Sequence, residues 1–60
     1  MSAATKETIQ EVKKAFEKVQ TDAETYHTKV TPLDGELARK IQKAGETAKE
    51  VVKHIEERSK

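Results

Sequence analysis

Apolar residues recur at alternating intervals of three and four on both sides of a single proline. Before it stand Ile9, Val12, Phe16, Val19, Ala23, Tyr26 and Val30, and after it stand Leu37, Ile41, Ala44, Ala48, Val51 and Ile55. Such an alternation returns to one side of an α-helix every seven residues, so each half carries the seam of a helix that packs lengthwise on another. Neither half alternates apolar and polar residues with period two, which sets β-strands aside.

The halves are separated by Thr31-Pro32-Leu33-Asp34-Gly35. Proline disfavours helical backbone at the residue before it, so the first helix is expected to end near Lys29 or Val30. Read as a helix start, Thr31 is the N-cap, Pro32 the first helical residue and Asp34 the third. The expectation is one all-α domain over residues 1–60, an antiparallel hairpin with a helix over about 6–30, a turn at about 31–33 and a helix over about 33–58. Antiparallel pairing then gives core layers of Tyr26 with Leu37, Ala23 with Ile41, Val19 with Ala44, Phe16 with Ala48, Val12 with Val51, and Ile9 with Ile55. Three of these layers set a large residue against alanine, the complementarity that lets facing layers interdigitate. Thr21 and Thr47 each begin a T-x-x-E box that offers a local helix start, yet the seam crosses both without losing phase, so both helices are expected to run through. Residues 1–4 and 59–60 are expected to fray.

The two halves differ in the width of their apolar stripe. Beside the first seam lie Lys13, Gln20 and His27, all polar, whereas beside the second lie Ala38, Gly45 and Val52. A stripe this wide exceeds what one neighbouring helix covers. The sequence therefore assigns an outer contact face to Ala38, Ile41, Gly45, Ala48, Val52 and Ile55, with Gly45 and Ala48 setting the approach distance. Two hairpins joined through that face make a four-helix bundle, with a homodimer the expected species. Composition points the same way. At 60 residues, 33% hydrophobic and without cysteine, the chain has neither a large core nor a disulfide to support it, and association supplies the support that small domains usually need.

Charge excludes more than it assigns. Twelve basic and eleven acidic residues give a net charge of +1, and acids interrupt each basic stretch. Lys14 and Lys18 stand near Glu11 and Glu17, and Arg39, Lys43 and Lys53 near Glu36, Glu46 and Glu50. No electrostatic footprint for nucleic acid results, so a nucleic-acid-binding bundle is only a second alternative. No apolar run approaches the roughly 20 residues that span a bilayer, and the N-terminus has no leader character, so a cytoplasmic protein without stable membrane insertion is expected.

Chemistry-bearing motifs are sparse. His27 and His54 fall toward opposite ends of the expected hairpin and share no site within it. Glu50, His54 and Glu57 occupy one helical face, a weak set for zinc or copper, but the plainer expectation is an exposed histidine between two solubilising carboxylates. Phosphate-binding glycine loops and H-E-x-x-H are absent. The sequence is thus expected to have no catalytic residues, no cofactor and no metal, and to act as a small interaction module: an adaptor, inhibitor or regulatory subunit that binds itself or a partner protein's helices.

Residues 43–50, Lys-Ala-Gly-Glu-Thr-Ala-Lys-Glu, resemble the motif repeated in the late-embryogenesis-abundant proteins of desiccation tolerance. That resemblance implies a chain disordered in water and helical on drying or on membranes, hence a stress protectant or membrane-surface amphipathic protein as the first alternative. The motif occurs here once, and Phe16, Leu37, Ile41 and Ile55 add bulk that such chains generally lack.

Overall fold

The computed structural model describes residues 3–58 and consists of two helices, α1 (Ala3–Val30) and α2 (Gly35–Arg58), packed along each other. A helix of 28 residues is about 42 Å long at 1.5 Å per residue, close to the 46 Å length of the whole molecule, so the helices lie side by side. The chain is an all-α helical hairpin, with no strand among the described residues. The expected fraying at Met1, Ser2, Ser59 and Lys60 lies outside the described residues, while Ala3 and Ala4 are helical.

Both helices run unbroken past their internal threonines. The Thr21 hydroxyl donates to the Glu17 carbonyl at 3.2 Å and that of Thr47 to the Lys43 carbonyl at 3.2 Å. Each side chain thus bonds back into its own helix instead of capping a new one.

At the turn the structure corrects the sequence reading. Thr31 is not the cap of α2. Its amide donates to the His27 carbonyl at 3.0 Å and its hydroxyl to the same oxygen at 2.6 Å, so it closes α1. The Val30 carbonyl then accepts from the amides of Leu33 and Asp34, both at 2.8 Å. Asp34 is the N-cap: its Oδ1 accepts from the Leu37 amide at 3.1 Å, and its carbonyl accepts the first helical bond from Ala38 at 3.0 Å. Aspartate is among the best N-caps because its oxygen satisfies an amide that has no partner inside the helix, and its negative charge suits the helix dipole. Pro32, which has no amide to satisfy, sits in the turn beside Leu33, and Leu33 is 83% exposed.

The contact between the helices uses one row of each expected seam and replaces the other. Ile9, Phe16, Ala23 and Val30 on α1, and Ile41, Ala48 and Ile55 on α2, are buried or half-buried, as the seam requires. The second inner row of α1 is Lys13, Gln20 and His27, not Val12, Val19 and Tyr26, and that of α2 is Ala38, Gly45 and Val52, not Leu37, Ala44 and Val51. Gly45 stands against Ala23 at the centre of the contact.

Small side chains account for the change of rows. Among the described residues, Ala23, Ala38, Ala48 and Val52 are the buried ones, none of them large. A row of Ala, Gly and Val lets the backbones approach, and close approach gains dispersion contacts along the whole length of the pair. Opposite that row, Lys13, Gln20 and His27 are half-buried, as polar side chains with apolar stems can be beside a helix contact.

Candidate interaction face

With its inner rows fixed, the hairpin presents two unlike lateral sides. One carries a shallow polar depression lined by Gln20, Glu24, His27, Gln42, Glu46 and Lys49, with Ala23 and Gly45 at the helix contact. The other carries the rows turned out of the seam: Val12, Val19 and Tyr26 from α1, and Leu37, Ala44 and Val51 from α2. Val12 is 37% exposed, Val19 39%, Leu37 47% and Tyr26 52%, Ala44 is exposed and Val51 half-buried. Antiparallel helices send these two heptad rows to the same side, and Val12 and Val51 indeed line one groove. In the observed register the strip reads, from turn to open end, Leu37, Tyr26, Ala44, Val19, Val51, Val12, alternating between helices.

That groove opens toward the free end of the hairpin. Its volume is about 870 Å³, with Ile9, Val12, Val51 and Ile55 in its walls and Lys6, His54 and Arg58 among its polar neighbours. At the turn end the Lys29 ammonium lies 5.5 Å from the Tyr26 ring centroid, over the one tyrosine of the chain. Exposed apolar residues grouped along one side in this way differ from the singly scattered ones that any surface carries.

The six residues expected to meet a second chain lie in or beside the contact between the two helices. Ala38, Ala48 and Val52 are buried within the hairpin itself, Ile41, Gly45 and Ile55 are half-buried, and Gly45 abuts Ala23. The small-residue row of the α2 stripe, Ala38, Gly45 and Val52, is buried or half-buried against α1. The row left over is Leu37, Ala44 and Val51. No signal in α1 alone marks Val12, Val19 and Tyr26 as outward, since they are its larger apolar residues. The clue lay across the pair, in the recurrence of Ala38, Gly45 and Val52 at seven-residue steps opposite polar residues with long stems.

His27 lines the polar depression and His54 the apolar groove, on different sides of the molecule. Among the described residues no group of three or more His, Cys, Asp or Glu is placed to hold a metal ion, so Glu50, His54 and Glu57 do not converge. No buried side-chain nitrogen or oxygen lacks a partner among the described residues. No described helix is long and apolar enough to cross a membrane. Lys40 and Glu36 approach to 3.9 Å on the surface, an i,i+4 pair worth a few tenths of a kcal/mol at most.

No protein-family model, curated protein or solved structure matches this chain.

Proposed function

We propose that this chain is a non-catalytic helical interaction module that works by packing its apolar lateral strip against other helices. The observation that carries the reading is the strip itself. Val12, Val19, Tyr26, Leu37, Ala44 and Val51 follow one side of the hairpin, while its other side is polar. A hairpin whose buried residues, among those described, are three alanines and one valine has little core, and a further helix layer on the strip supplies what is lacking. The geometry suits an adaptor, inhibitor or regulatory subunit, which needs a rigid helical surface and no enclosed pocket.

Sedimentation equilibrium with parallel far-UV circular dichroism, over a hundredfold range of concentration, tests this for the parent and for Val19→Glu. The expected result is a parent that associates and a variant that stays helical but associates at least tenfold more weakly. Association unchanged in Val19→Glu contradicts the reading.

A further inference from the structure

We infer that the strip is covered by a second copy of this chain, related by a twofold axis that places the two turns at opposite ends of a four-helix assembly. The inference rests on the reading of the strip as a docking surface and adds its occupant and orientation.

Volume argues for the reversed copy. The strip is bulky at one end, where Tyr26 and Leu37 are about half exposed, and hollow at the other, where the groove of about 870 Å³ opens between Val12 and Val51. A copy turned end for end seats the Tyr26 and Leu37 pair of each chain in the groove of the other. Twofold symmetry makes both seats at once, because an isologous contact repeats every interaction. With both turns at the same end, the bulky pairs meet each other and the two hollows face each other unfilled, which forfeits packing at both ends.

Charge argues for a second copy of this chain. Along α1, on the outer margin of the strip, stand Glu11, Lys18, Asp22 and Lys29, all exposed. Their signs run acid, base, acid, base, with spacings of seven, four and seven. Reversal of such a series inverts its signs, so an antiparallel α1 from a second copy sets Glu11 near Lys29 and Lys18 near Asp22, each twice. Opposite charges at a rim contribute modestly to affinity but disfavour other orientations and registers.

The test is a distance between two turns. The chain has no cysteine, so Leu33→Cys, at a position 83% exposed and outside the strip, accepts a single spin label without disturbing the contact. Dipolar electron spectroscopy on the labelled protein, at a concentration where sedimentation shows dimer, is expected to give a label separation of about 35–40 Å, from helical rise alone. A separation under about 20 Å, the spacing of turns side by side on adjacent helices, overturns the orientation while leaving the docking surface intact. A parent that remains monomeric at the highest accessible concentration overturns the second copy as occupant. Dimerisation and label separation both unchanged in Val19→Glu overturn the inference together with the reading on which it rests.

Discussion

Gly45 of α2 stands against Ala23 of α1 so closely that a Cβ built on the glycine would lie 2.7 Å from the alanine Cβ. That distance is shorter than side chains tolerate, so glycine at this position lets the two helices meet. Gly45→Ala gains helix propensity of about 1 kcal/mol but must push the helices apart, and overpacking of this kind costs about 1–3 kcal/mol. The expected outcome is a net loss of about 1 kcal/mol or more in urea unfolding at fixed protein concentration. Ala23→Gly in the same background recovers part of the overpacking loss as a non-additive coupling. Gly35→Ala serves as the control, because nothing lies within 4 Å of a Cβ there, and it leaves stability unchanged or slightly raised.

The start of α2 depends on Asp34. Asp34→Ala removes the oxygen that receives the Leu37 amide and is expected to destabilise by about 0.5–2 kcal/mol. Thr31→Ala removes only a hydroxyl that bonds back to His27 and should change stability less. Thermal unfolding of the two variants followed by circular dichroism checks the order. Equal effects, or a larger one at Thr31, would return the cap to the position that the sequence alone suggests.

Tyr26 reports on the strip without any label. The chain has one tyrosine and no tryptophan, and Tyr26 is 52% exposed in the single hairpin. Acrylamide quenching of its emission should therefore fall as protein concentration rises and the strip becomes covered. In Val19→Glu the quenching should stay high at every concentration. A parent whose quenching is independent of concentration while its mass increases would place the contact elsewhere.

The fold was legible because a helix pair needs little information. Seven-residue recurrence on both sides of Pro32 defines two helices, and a short connection between them defines a hairpin. Which rows face inward was not legible, because the two candidate rows of each helix differ by one residue step of about 100°. The larger side chains at Val12, Val19 and Tyr26 favour one choice, and the close approach permitted by Ala38 and Gly45 decides for the other. The same rotation moved the candidate site. Ala38, Gly45 and Val52, read as an outer flank, are buried or half-buried beside α1, and Val12, Val19, Tyr26, Leu37 and Ala44, read as core, are exposed. At the turn, Thr31 and Asp34 are both good caps, and the hydrogen bonds of Val30 and His27 select between them by carrying α1 through Thr31.

That rotation puts two adjacent valines of α2 on different faces, and substituting each tests it most directly. Val52 is 6% exposed and belongs to the inner row, while Val51 is half-buried and belongs to the strip. Chemical unfolding of Val51→Glu and Val52→Glu, side by side at one low protein concentration, compares the same substitution on the two faces. Val52→Glu is expected to cost about 3 kcal/mol or more, enough to abolish most helicity, because a carboxylate is forced between the helices. Val51→Glu is expected to retain a helical monomer and lose only association. The reverse order, with Val51→Glu unfolded and Val52→Glu folded, would contradict the account.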